Sequence, residues 1–138
     1  MIDAENEIYT YVASILRDAF PGINTTSEYT REVSKFPTVS IEEKNNAVWR
    51  NSRTTSTNEV HAAVMYEVNV YSNKLNGKKQ EAKGIMAVAD SAFNSLGFSR
   101  TMLEPIPNLA DATIYRMTAR YQCIIGQDDS GNFTTYKR

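Results

Sequence analysis

A chain of 138 residues, 41% hydrophobic and 22% charged, has the size and composition of one folded domain, which excludes disorder over its whole length. A net charge of −1 excludes the overall basic field that draws proteins to nucleic acid or anionic membranes, so neither a membrane nor a sequence-specific nucleic-acid partner is expected. The single cysteine, Cys123, excludes an intrachain disulfide and suits a reducing compartment. The acidic start MIDAENE, with no apolar run near about 18 residues, predicts neither secretion nor membrane insertion.

From Asp3 to Phe20 the residues Ile8, Val12, Ile15 and Ala19 recur at helical spacing. Asp3 is placed to cap this helix, Glu5 and Glu7 suit its N-terminal dipole, and Pro21 and Gly22 end it. After a β-prone stretch from Ile23 to Thr26, the segment FPTVSIEE sets Val39 and Ile41 on one side of a strand. Thr38, Ser40 and Glu42 fall on the other. Asn45 to Glu59, rich in Asn, Ser and Thr, reads as a hairpin tip or loop.

The next strand, Val60 to Tyr71, alternates: Val60, Ala62, Val64, Tyr66, Val68 and Val70 face one way, and His61, Glu67 and Asn69 the other. Twelve extended residues reach about 40 Å, against a radius of gyration of about 14 Å for a domain of this size. Part of this strand is therefore expected to project beyond the core. A turn from Asn73 to Gly77 leads to a helix from Lys78 to Leu96, with Ala82, Ile85, Met86, Ala89, Phe93 and Leu96 on one stripe and Gly97 as its stop. Gly84 inside that helix is unfavourable by about 1 kcal/mol against alanine unless a neighbouring backbone approaches closely.

FSRTMLEP reads as a strand, and PIPNLAD as a connection kept irregular by its prolines. The last strand, Ala112 to Ile125, sets Tyr115, Met117, Ala119, Tyr121, Cys123 and Ile125 against Arg116, Thr118, Arg120 and Gln122. A polar tail follows. The pattern predicts an α+β fold: a mixed, mainly antiparallel sheet with two amphipathic helices on one face and a long β-hairpin. One domain covers 1–126, with a tip loop at about 45–59 and a tail at 127–138.

Catalytic chemistry is missing from this pattern, and no enzyme activity, metal or cofactor is expected. His61, the one histidine, has no second His or Cys to complete a metal set and no GxSxG nucleophile elbow to serve. Glu42 and Glu43 are adjacent on a strand and point to opposite faces, so they cannot act as an acid/base pair. The GKK at Gly77 lacks the other Walker positions, and the Asp128, Ser130, Asn132 series lacks the distal glutamate of a calcium loop. Arg116 and Arg120 alternate away from Tyr115 and Tyr121, so they do not form a stacking platform for bases.

Association is the alternative use for such a surface. Trp49, with Arg50 and Arg53 in the polar loop, has the composition of an interface anchor, or else folds back on its own domain. Arg116 and Arg120 complete the candidate interface set. Residues 1–47 carry a net charge of −4 and residues 48–138 a net +3, which would let copies associate head to tail if the halves form different faces.

In the order helix, strand, polar tip, long strand, helix and two strands, the chain resembles the tail-terminator or tail-completion proteins of long-tailed bacteriophages and prophages. The resemblance lies in MIDAENEIYTYVASILRDAFPG, FPTVSIEE, MYEVNVYSNKLNGKKQEAKGIMAVADSAFNSLGF and PNLADATIYRMTARYQ. It implies a homohexameric ring at the head-proximal end of the virion tail, assembled in the bacterial host cytoplasm. Such a ring stops polymerisation of the major tail tube protein and docks the head-completion or neck protein, with DNA free to pass through it. A head-tail connector, a minor capsid subunit, or a small ligand- or nucleic-acid-binding α+β domain are the alternative readings.

Overall fold

Apolar residues three and four apart build the first helix. The computed structural model, which describes residues 1–28, 33–49, 61–107, 111–127 and 132–135, places helix α1 at Glu5–Ala19 and buries Ile8, Val12, Ala13 and Leu16. The buried stripe is rotated from the expected one. Ile15 is half-buried and Ala19 exposed, since α1 packs against the second helix as well as the sheet and turns Leu16 inward in place of Ile15. Asp3 works at the helix start without being its N-cap: Ala4 holds that position, and Asp3 Oδ1 accepts the Glu5 N–H at 3.2 Å. Gly22 just beyond the helix has φ +89°, a left-handed conformation open to glycine.

The strands are β1 (Asn24–Thr26), β2 (Thr38–Val48), β3 (His61–Ser72), β4 (Ser99–Ile106), β5 (Tyr115–Gln127) and β6 (Phe133–Thr135), with helix α2 (Lys78–Ser95) between β3 and β4. They form one sheet in the order β1-β2-β3-β5-β4, with β6 also on β5. Among the described strands only β1 and β2 pair in parallel. This is an α+β fold with a mixed, mostly antiparallel sheet. The β3-α2-β4 crossover leaves a gap that β5 fills, the split arrangement of a β-α-β unit.

Four sequence expectations change. The Asn45 to Val48 segment, read as loop, continues β2, because a bulge at Lys44 lets the chain resume pairing at Asn45 opposite Met65. Residues 50–59 of the expected tip, and Val60 at the start of the expected strand, lie outside the described residues. Ile106, read as connection, continues β4 opposite Arg116, past Pro105 opposite Met117; an edge strand tolerates the missing N–H where it faces away from the ladder. Part of the polar tail forms β6, with Ile125 opposite Thr135 and Gln127 opposite Phe133. Finally, β3 does not project: it is central, paired with β5 along all twelve residues, and its apolar row from Ala62 to Val70 is at most 2% exposed. Its length is matched by 11 residues in β2 and 13 in β5.

Both helices lie on one face of the sheet. α2 buries Ala82, Ile85, Met86, Ala89, Ala92 and Phe93. Its Phe93 stacks on Tyr121 of β5, with centroids 4.5 Å apart and planes within 5°. Phe98 meets Phe93 and Tyr66 edge-on at 5.2 and 5.6 Å. Burial pushes up the Tyr121 hydroxyl, which donates to Asp90 Oδ1 at 2.8 Å; Asp90 in turn pairs with Arg100 at 3.0 Å, tying β5, α2 and β4 together. Gly84 is exposed, with nothing within 4 Å of where a Cβ would stand, so no close backbone approach explains it.

Candidate functional site: the uncovered sheet face

Strand alternation sends the remaining side chains to the face that neither helix covers. Across β3 and β5 the rungs on that face are Tyr71 with Arg116, Asn69 with Thr118, Glu67 with Arg120, Met65 with Gln122, Ala63 with Ile124 and His61 with Gly126. β2 adds Thr38, Ser40 and Glu42 opposite Tyr71, Asn69 and Glu67. Thr38, Ser40, Asn69 and Thr118 are at most 4% exposed although no helix covers them.

Asn69 is the acceptor at the centre. Its Oδ1 receives hydrogen bonds from Arg116 Nε and Nη2 at 3.0 and 2.9 Å and from the Thr118 hydroxyl. Its Nδ2 donates to Glu67 Oε2 at 3.3 Å, and Arg120 Nε reaches Glu67 Oε1 at 3.2 Å. Arg116 also lies over the Tyr71 ring, 5.5 Å from its centroid. Glu42 and Glu67 face each other across β2 and β3, a like-charge rung that repels. The bulge supplies the remedy, since it brings Lys44 Nζ to 3.1 Å from Glu42 and 3.9 Å from Glu67.

The expected separation of Arg116 and Arg120 from Tyr115 and Tyr121 holds, yet Arg116 finds an aromatic partner in Tyr71. Sequence reasoning missed Tyr71, Asn69, Glu67 and Lys44 as members of this set. Alternation within β3 was the available signal, but only the β3-β5 register says which residues meet.

At the other end of the face, the Trp49 N–H donates to the His61 carbonyl at 2.9 Å, extending the β2-β3 ladder by one rung. Trp49 is half-buried. The His61 ring lies across Gly126, where a Cβ would come within 2.9 Å of His61 Cδ2. From this rung to the Glu67-Arg120 rung is about 20 Å at about 3.3 Å per residue. Trp49, Arg116 and Arg120 thus share a face without forming one cluster. Arg50 and Arg53 lie outside the described residues.

The charge-biased halves fall at opposite edges of the sheet, because α1, β1 and β2 come from the first half and α2, β4 and β5 from the second. Among the described residues, those from 1 to 49 carry seven acids and three bases, and those from 61 to 135 five acids and seven bases. A shallow groove of about 380 Å³ between the helices is lined by Ile15, Ala87, Val88 and Ser91.

Among the described residues no group of three or more His, Cys, Asp or Glu could hold a metal ion, and no helix is long and apolar enough to cross a membrane. The chain matches no family model, and no curated protein matches it.

Proposed function

We propose that this chain is a structural subunit of a long-tailed bacteriophage or prophage: a tail terminator that forms a homohexameric ring on the end of the tail tube, halts polymerisation of the tube protein and offers a docking surface to the head-completion or neck protein. The observation that carries this reading is the placing of an acid-rich and a base-rich half at opposite edges of one sheet. Copies can then add head to tail with the same contact at every junction, and such a contact closes into a ring when its rotation permits. The resemblance, which leaves out the tip loop and the C-terminal tail, supplies the class of assembly. The uncovered face, with its cross-strand network and Trp49 at the hairpin end, offers shape and charge for recognition without a reactive group.

Light scattering after size exclusion, with and without purified tail tube protein, tests the proposal. A discrete oligomer that weakens with added salt and binds tube ends is expected. A strict monomer at high concentration that ignores tube ends would overturn it, as would a salt-dependent shift with DNA or RNA in place of self-association.

A further inference from the structure

The turn between β3 and α2 carries Leu75, which is 98% exposed, the most of any large apolar side chain among the described residues. A single exposed leucine is ordinary on a protein surface, but this one stands on a braced turn. The fully buried Ser72 hydroxyl donates to Glu81 Oε1 at 2.7 Å and accepts the Lys74 N–H at 3.4 Å, and the Glu81 N–H bonds the Gly77 carbonyl at 2.9 Å. Lys78 Nζ adds a bond to the Ala112 carbonyl at 3.1 Å. Leu75 is thus presented by a loop tied at both ends, which limits the entropy lost when a partner buries it. Exposed Lys74 and Lys79 flank it, and neither makes an ion pair among the described residues.

The helix layer holds a matching recess. The groove of about 380 Å³ is walled by Ile15 of α1 and by Ala87, Val88 and Ser91 of α2, and it admits a leucyl side chain. Tyr11, 39% exposed, bridges the two helices beside it: its hydroxyl lies 2.8 Å from Oγ of Ser95, which also lines the groove. Glu7, Tyr11, Ile15 and Asp18 follow one another at helical spacing, so both acids lie on the side of α1 that borders the groove. Both are exposed, and neither makes an ion pair among the described residues. Lys83 stands one turn before Ala87 on α2, so the acidic side of the groove is that of α1. The rise of α2 from Lys78 to Ala87 is about 14 Å, which keeps Leu75 out of the groove of its own chain.

We propose that Leu75 of one copy inserts into the α1-α2 groove of a second copy, with Lys74 and Lys79 drawn to Glu7 and Asp18 along it. Charge complementarity makes a second copy the occupant: the turn is base-rich, the α1 side of the groove is acid-rich, and one chain carries both halves of the contact. Repeated head to tail, the contact gives each copy one filled groove and one seated leucine. That such a series closes into a ring rests on the function proposed above.

The full chain tests this by size exclusion with light scattering over a concentration series. Leu75→Asp and Ala87→Arg each change an exposed side chain, and circular dichroism checks that both fold as the parent does. Each should raise the concentration of half-assembly by about thirtyfold or more, the effect of losing a central anchor. Mixing the two variants should restore one junction and give a dimer, since the groove of the first and the leucine of the second are intact. If the parent forms rings, unchanged assembly of Leu75→Asp, or no dimer in the mixture, would overturn the contact and leave the ring standing. A parent that stops at a dimer, lost in both variants, would uphold the contact and overturn the ring. A parent that stays monomeric at high concentration would overturn both. Leu75→Asp decides alone if Ala87→Arg fails to fold.

Discussion

The guanidinium of Arg116 on β5 donates through both Nε and Nη2 to a single oxygen, Oδ1 of Asn69 on β3, at 3.0 and 2.9 Å. Thr118 donates to the same oxygen, so one amide carbonyl orders three donor hydrogens on the uncovered face. Asn69→Ala leaves the buried Thr118 hydroxyl without this acceptor, while Arg116 can still turn to water. A loss of about 1 to 3 kcal/mol is expected. Urea unfolding checks it, with the midpoint falling and the slope unchanged.

Gly84→Ala should raise stability by up to about 1 kcal/mol, since alanine is the better helix former and the added methyl meets open space. Thermal unfolding measures this. A lower midpoint would mean that the site tolerates less than its surroundings suggest.

Gly126→Ala should act the other way. Its methyl would stand 2.9 Å from Cδ2 and 3.1 Å from Nε2 of His61, and Thr134 Oγ1 lies at 3.4 Å. The imidazole must swing off the strand, so a destabilisation of about 1 to 3 kcal/mol is expected in chemical denaturation. The His61 ring resonances should shift in the same variant.

Cys123 should be slow to alkylate in the folded chain. Burial pushes its thiol up to about 11 from an ordinary 9.0, and it is 9% exposed. Only the thiolate reacts, so at pH 8 the available fraction is lower by roughly a hundredfold, before the restriction of access. Iodoacetamide labelling that speeds up with urea in step with unfolding is the expected result.

Trp49→Ala separates the two readings of that side chain. If Trp49 anchors an interface, the variant folds with unchanged secondary structure and no longer oligomerises. If it packs only on its own hairpin, assembly persists, and any effect is confined to the unfolding midpoint. Circular dichroism with light scattering distinguishes the outcomes.

Periodicity carried most of the fold. The α2 stripe from Ala82 to Phe93 and the alternation of β3 and β5 are local, since each residue's face follows from its own spacing along a helix or strand. α1 was legible as a helix and misplaced in rotation, because Leu16 and Ile15 are equally apolar and only the combined packing on α2 and β2 decides which one turns inward. Of the candidate surface, Arg116 and Arg120 were legible as a polar row. Their partners were not, because Asn69 and Glu67 lie 47 and 53 residues away.

The amino-acid sequence by itself determined a single α+β arrangement, the apolar faces of its helices and central strands, and the separation of acid-rich from base-rich halves; each depends on residue type and short-range spacing. Tertiary structure alone decided that β5 inserts between β3 and β4, that Lys44 bulges between two opposed glutamates, and that part of the tail becomes β6. Those outcomes rest on register between segments distant in the chain. Register is set by the packing of whole faces against one another, where a shift of one residue would turn every buried side chain outward.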